Sequence, residues 1–105
     1  MDFLRLEIIT KQERNSVITI VKDAITSSGG WIVDHQLFSN TAASISFEVG
    51  YGDIERLISI LEDHNLKSDI INDCARDKDG DVRGGIALIF VHNEPDLKRE
   101  VPSFG

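Results

Sequence analysis

Apolar residues recur along this chain with two different periods, which predict strands alternating with helices. Segments where every second residue is apolar, or where β-forming residues cluster, predict strands. These segments are residues 3–9, 31–38, 43–49, 67–72 and 85–92. Two further segments, residues 17–25 and 54–61, repeat apolar side chains every three to four positions, which is the period of an amphipathic helix.

Polar residues and glycines next to the helical segments predict where the helices begin and end. Asn15–Ser16 suits the N-cap of the first helix, while Thr10 with Glu13 also fits a capping box that would start it earlier. Gly29–Gly30 should end that helix, and Asn65 should end the second in the left-handed conformation. The helical side chains predicted to be buried are Val17, Ile18, Val21, Ile25, Ile54, Leu57, Ile58 and Leu61.

The order of these elements predicts an α+β fold of the ferredoxin-like βαββαβ type. Two helices would cover one face of an antiparallel sheet, because this arrangement buries both apolar stripes. The segment 85–92 would be an extra C-terminal strand, added by a hairpin and covered on both faces, since it is apolar on both sides. We expect one domain over residues 1–94 and a C-terminal tail over residues 95–105.

Composition narrows the classes of partner. The chain has 105 residues and a formal net charge of −7, which disfavours binding to nucleic acid. No apolar run approaches the roughly 20 residues that cross a bilayer, so we expect no membrane association. The start of the chain does not resemble a signal peptide, and its single cysteine, Cys74, suits a reducing compartment. The expected location is therefore cytoplasmic.

Three groups of residues could carry chemistry, and each has a simpler explanation. The run Asp77–Asp81 resembles part of a calcium loop but lacks the acid at the twelfth position, so we interpret it as a polar turn. His35 and His92 could meet on the sheet, yet no histidine has metal-ligand spacing to another histidine or to Cys74. Asp34 and Glu48 could face each other across the hairpin as solvated acids. We therefore expect no catalytic residues, no metal and no cofactor, and the protein is not predicted to be an enzyme.

Residues 13–33 resemble the start of an ACT domain. In that family an acid-Arg-Pro-Gly turn opens the first helix, an Ala-Ile pair lies in its second half, a glycine ends it, and an Asn-Ile or similar pair opens the second strand. The residues that match are Glu13, Arg14, Ala24, Ile25, Gly29 and Ile32. The predicted element order extends the resemblance over most of residues 3–92. It implies a free-standing regulatory domain that binds a small, amino-acid-like metabolite at a subunit interface.

The resemblance also implies where a ligand would bind, namely at the first strand-helix turn and the start of the second strand. The corresponding residues here are Arg14, Asn15, Ser16, Gly30 and Trp31. The family pattern is broken twice, because Asn15-Ser16 replaces Pro-Gly and Trp31 replaces a frequent polar residue. Trp31 could instead cover the edge of the core or a subunit contact, which is the interpretation we favour for it.

Two alternatives to the metabolite-binding domain remain open. The same fold could serve as a protein-interaction or oligomerisation subunit without a small ligand. A trimeric, nitrogen-regulator-like protein is disfavoured, because the connection at residues 39–41 is too short for that family's nucleotide-binding loop. Since two helices cover one face of a sheet and leave strand edges free, we expect a homodimer, unless the tail residues Val101 and Phe104 cover the other face.

Overall fold

A computed structural model describes residues 3–72 and 80–91 of the chain, without the side chains of Phe3 and Asn72. Five strands and two helices follow one another in the order β1, α1, β2, β3, α2, β4, β5. Their bounds are β1 Phe3–Thr10, α1 Arg14–Ser27, β2 Trp31–Ser39, β3 Ala42–Gly50, α2 Ile54–Asp63, β4 Ser68–Asn72 and β5 Asp81–Phe90. A short 3-10 turn, Tyr51–Asp53, leads into α2. The fold is thus α+β, as the sequence predicts.

The five strands form one sheet in the order β2-β3-β5-β1-β4. β5 pairs parallel with β1 and antiparallel with β3, while β2 and β4 occupy the two edges. The prediction of an antiparallel sheet is therefore wrong at one pair, and the sheet is mixed. The expected hairpin between β4 and β5 is also wrong, because these strands lie on opposite sides of β1.

The core lies between the helices and one face of the sheet. Alternate residues of β1, β3 and β5 point into it, and five residues of α1 and two of α2 meet them. The largest fully buried side chains are Phe47, Leu4, Leu6, Ile8, Ile25, Ile45, Leu57, Leu61, Leu66, Ile86, Leu88 and Val17. The opposite face, which we call the open face, carries no helix among the described residues. Near its centre are the small side chains of Ser44, Ser46 and Ala87.

Both helices end as the sequence predicts. Gly29 has a positive φ of 89°, and the amide of Gly30 donates to the carbonyl of Ile25 across 2.9 Å. Asn65 takes the same left-handed conformation after α2, with φ 63°, and the amide of Leu66 donates to the carbonyl of Leu61. Both are Schellman ends, in which a left-handed residue lets amides beyond the helix satisfy its last carbonyls.

Several expectations need correction. α1 begins earlier than an Asn15–Ser16 cap would allow, and its N-cap is Glu13. Leu57 and Leu61 are buried as predicted, but Ile54 and Ile58 are half-buried. The last described strand, β5, begins at residue 81 rather than 85 and ends at Phe90.

Other predictions lie outside the described residues. They concern Cys74, His92, most of the turn at 77–81, and the tail at 95–105.

Candidate functional site

The first part of the candidate site lies where the parallel strands β1 and β5 end side by side. In sheets with parallel strands, ligands bind beyond the carboxyl ends of these strands. Gln12, in the turn after β1, donates from its backbone amide to Thr10 Oγ1 at 3.1 Å. Its side-chain Nε2 donates to the carbonyl of His64 at 3.1 Å. The side-chain bond ties the turn between β1 and α1 to the end of α2.

The carboxylate of Glu13 occupies the amide donors at the start of α1. It accepts hydrogen bonds from the amides of Asn15 and Ser16, both at 2.9 Å, and from Ser16 Oγ at 3.1 Å. The bonds from the amides of Asn15 and then Ser16 lower the pKa of Glu13 below its ordinary value, because they favour the charged form. The donors that an external carboxylate would use are thus already satisfied by this side chain.

Arg14 turns away from the start of β2 and towards the turn between β2 and β3. Its Nη1 donates to Asn40 Oδ1 at 3.2 Å. The two side chains border a cleft of about 370 Å³, whose other lining residues are Lys11, Gln12, Glu13, Phe90 and Val91. Sequence reasoning missed Lys11, Gln12 and Asn40, since no local pattern links residues that come together through the sheet. The cleft therefore carries two cations beside one carboxylate.

Gly30 and Trp31 lie at the other end of α1 from Arg14, Asn15 and Ser16. α1 has 14 residues and so separates the two groups by ~21 Å at 1.5 Å per residue. Gly30 also has a packing role, because a Cβ there would clash with the backbone carbonyl of Glu48. Within one chain the five predicted residues form two separate groups, and their assignment to a single site stays a prediction.

β2 is exposed along nearly its whole length. This nine-residue edge strand has one half-buried residue, Ile32, and eight exposed ones. Its large exposed apolar side chains are Trp31 at 49%, Val33 at 47%, Leu37 at 54% and Phe38 at 64% of full exposure. An edge strand of this length with apolar side chains is suited to pair with another strand.

The acids considered from the sequence do not face each other. Asp34 lies opposite Ser46, while Glu48 lies opposite Trp31. Glu48 instead accepts from Arg83 of β5, with Nη2 and Oε2 2.6 Å apart, on the open face. Asp34 Oδ1 accepts from the backbone amide of His35 at 2.8 Å. Neither carboxylate is placed to act with the other.

His35 contacts a lysine of α1 that the sequence pattern did not single out. Lys22 Nζ lies 3.0 Å from His35 Nδ1. Over the described residues, no group of three or more histidine, cysteine, aspartate or glutamate side chains is arranged to hold a metal ion. No helix within 3–72 and 80–91 is long and apolar enough to span a membrane.

A second cleft lies between α2 and the edge strand β4. It has a volume of about 390 Å³ and is mainly apolar, with Ile58 from α2 and the exposed Ile70 from β4 among its lining residues. Glu55 is its charged residue. This cleft explains why Ile58 is half-buried, since the side chain borders it.

Comparisons with known proteins give no relative for this chain. No protein-family model, no curated protein and no solved structure matches it.

Proposed function

We propose that this chain is a self-associating regulatory domain of the ACT-like kind, which binds an amino-acid-like metabolite between two copies. The observation that carries the proposal is the long free edge of β2 with its four large exposed apolar side chains. Pairing two such edges removes apolar surface from water and satisfies backbone groups that the edge otherwise exposes. The protein then acts by binding rather than by catalysis.

The sheet supports a ferredoxin-like origin with β5 as an insertion. Without β5, the remaining strands stand in the order β2-β3-β1-β4. With β1 taken as up, β2 also runs up while β3 and β4 run down, so these four strands alternate in direction. This is the alternation that a βαββαβ sheet with two helices on one face requires. β5 enters between β1 and β3 and makes the sheet mixed.

Twofold pairing of β2 would bring the start of one β2 strand beside the Arg14 cleft of the other chain. A twofold axis perpendicular to the sheet pairs the two β2 strands antiparallel, so the start of one strand lies beside the end of the other. The partner's Trp31 then lies near Ser39 and Asn40 of the first chain, and Asn40 accepts the hydrogen bond from Arg14. Trp31 lies opposite Glu48 and therefore on the open face, whereas α1 with Arg14 lies on the other face, so the backbone of the partner's β2 rather than the Trp31 side chain would border the cleft.

The charges in the cleft suit a zwitterion. Arg14 and Lys11 are available to a ligand carboxylate, and Glu13 Oε2, which accepts one hydrogen bond from the Asn15 amide, can accept a second from a ligand ammonium group. The volume of about 370 Å³ accommodates a small amino acid. Because Glu13 holds the helix amides, we expect Arg14 rather than the backbone to contact the ligand carboxylate.

The alternative is an oligomerisation or interaction subunit of the same fold with no small ligand. Two observations favour it: the bulk and exposure of Trp31, and the occupation of the α1 amides by Glu13. Under this alternative the β2 edge pairs as proposed, but the cleft at Arg14 has no ligand.

A thermal-shift screen with the common amino acids separates the two functions, because a ligand that binds the native state raises the melting temperature. Arg14→Ala should abolish any such shift. Arg56→Ala removes the same charge from an exposed position on α2 and should leave the shift intact. A dimer that no amino acid stabilises at about 10 mM, a concentration that reveals even weak binding, favours the ligand-free alternative. A protein that is monomeric at ~100 µM contradicts both.

A further inference from the structure

The pair formed by Lys22 and His35 presents hydrogen-bond donors alone. An ammonium group has three donors and no acceptor, so the 3.0 Å contact requires His35 Nδ1 to accept. A neutral imidazole whose Nδ1 accepts carries its proton on Nε2, which is therefore a donor. The remaining donors of Lys22 and the Nε2–H of His35 have no acceptor within this pair.

No carboxylate lies at helical or cross-strand spacing to balance the ammonium group. On α1, the residues three and four positions from Lys22 are Ile18, Thr19, Ile25 and Thr26. On β3, the residue opposite His35 is the buried Ile45, so His35 lies on the helix-bearing face. Asp34 is opposite Ser46 and belongs to the open face. The Lys22 ammonium group is thus paired with a neutral ring rather than with a carboxylate at these positions.

The proposed pairing of β2 with its copy fixes where this pair lies in the dimer. Directly opposed residues of two paired strands lie on the same face of the sheet. Because side chains alternate between the faces along residues 34–37, the twofold axis must pass beside one of these residues, which then lies opposite its own copy. Centring the axis on Asp34 would oppose two carboxylates, and centring it on Gln36 would place Asp34 beside the partner's Phe38. Centring it on His35, the midpoint of the nine-residue strand, opposes Asp34 with the partner's Gln36 within the regular stretch between the register shifts at Ile32/Asp34 and Leu37/Ser39.

We infer that the twofold axis at His35 carries a binding site for a small multivalent oxyanion of the phosphate type. This inference rests on the β2 dimer proposed above. Opposed residues of an antiparallel pair have Cα atoms about 4.5–5.5 Å apart, so both imidazoles and both Lys22 ammonium groups converge on the axis. Four donor groups and two positive charges then face one another, and an oxyanion supplies the acceptors and the negative charge that the cluster needs.

Sedimentation analysis of the full chain in sodium phosphate and in sodium chloride, at equal ionic strength and pH, tests this site. A dimer-specific anion should tighten self-association by about tenfold at ten times its dissociation constant. Lys22→Met should abolish the phosphate effect. Lys67→Met makes the same charge change beside β4, at the far edge of the sheet, and should retain it.

The outcomes distinguish this inference from the proposed function. If the dissociation constant of the dimer is the same in phosphate and in chloride, the anion site is contradicted but the proposed dimer is not. Equal tightening in wild type, Lys22→Met and Lys67→Met also overturns it, because the effect is then general screening. If the protein is monomeric in both salts at ~100 µM, the proposed dimer and the anion site are both contradicted. Broadening of the phosphate ³¹P resonance by wild type but not by Lys22→Met, with both variants folded by circular dichroism, supports the site directly.

Discussion

Gly84 lies where β5 passes closest to the ring of Phe47. A Cβ at this position would be 2.8 Å from Phe47 Cζ and 2.9 Å from the carbonyl oxygen of Leu4. Both neighbours are fixed, because Phe47 is fully buried and the carbonyl belongs to β1, which is paired on both sides by β5 and β4. Gly84→Ala should therefore destabilise the fold by about 1–3 kcal/mol, measured by urea denaturation. Gly52→Ala is the control, since no atom lies within 4 Å of its Cβ, and should change stability by less than about 0.5 kcal/mol.

Leu57 and Ile58 are neighbours on α2 with different surroundings. Leu57 is fully buried, whereas Ile58 borders the cleft beside β4. Leu57→Ala should cost about 2–5 kcal/mol in denaturant melts, because it leaves a cavity in the core. Ile58→Ala should cost less than about 1.5 kcal/mol, since part of its surface is already in water. Equal losses of unfolding free energy in the two variants would show that Ile58 is a core residue and not a residue that lines an open cleft.

The helical period predicts the direction of an apolar stripe but not how widely neighbouring elements cover it. That is why Leu57 and Leu61, at the centre of the stripe, were predicted correctly. Ile54 and Ile58, on its flank, were predicted to be more buried than they are. The exposure of a flanking residue depends on where β4 lies, and this is a property of the whole sheet.

At the scale of elements, the start of α1 should show a pH dependence that comes from Glu13. Its pKa is lowered in the folded chain, so the cap contributes its full stability above the unfolded-state pKa. That contribution is lost as the pH falls through the lowered folded-state pKa. The melting temperature of Glu13→Gln should thus fall below that of wild type at pH 7, and the gap should narrow on acidification. A gap that is constant from pH 7 to strongly acidic pH would contradict the cap.

Local signals predicted the ends of elements better than their places in the sheet. Gly29 and Asn65 end helices through contacts with residues a few positions away, so sequence sufficed. β5 was recognised as a strand from its apolar residues, but the prediction that both of its faces are covered is wrong, since Gly85, Ala87 and Ile89 are only half-buried on the open face. Its parallel pairing with β1 joins residues about 80 positions apart, as in Phe3 with Arg83, and no local pattern encodes that pairing.

For the whole molecule, we predict that the dimer forms through the β2 edge rather than through the open face. Leu37→Lys places a charge on β2, and Ile9→Lys places the same charge on β1, where Ile9 is 58% exposed. Leu37→Lys should convert the dimer to a monomer in light scattering on a size-exclusion column, because it buries an unpaired charge in the contact. Ile9→Lys should leave the dimer intact. The reverse result would assign the contact to the open face.

The candidate site shows how far a single sequence can lead. Arg14 and Trp31 were selected through a family resemblance, and the structure adds Lys11, Gln12 and Asn40 around Arg14. The sequence could not reveal that α1 separates Arg14 from Trp31, because the resemblance concerns order along the chain and not distance in space. A site shared by two copies requires an interface, and the sequence of one chain does not indicate which of its residues lie close together across an interface.

The central place of β5 has a consequence for the order in which the protein can fold during synthesis. Of the described strands, β5 leaves the ribosome last, yet it lies between the pair β1-β4 and the pair β2-β3. Until residue 90 has emerged, the nascent chain holds two separate strand pairs whose inner edges are exposed. The five-stranded sheet therefore forms only after residue 90 has emerged, through pairings of large sequence separation, which fold slowly. A nascent chain stalled at Gly80 should be protease-sensitive, and one extended past residue 90 by a long linker should be resistant.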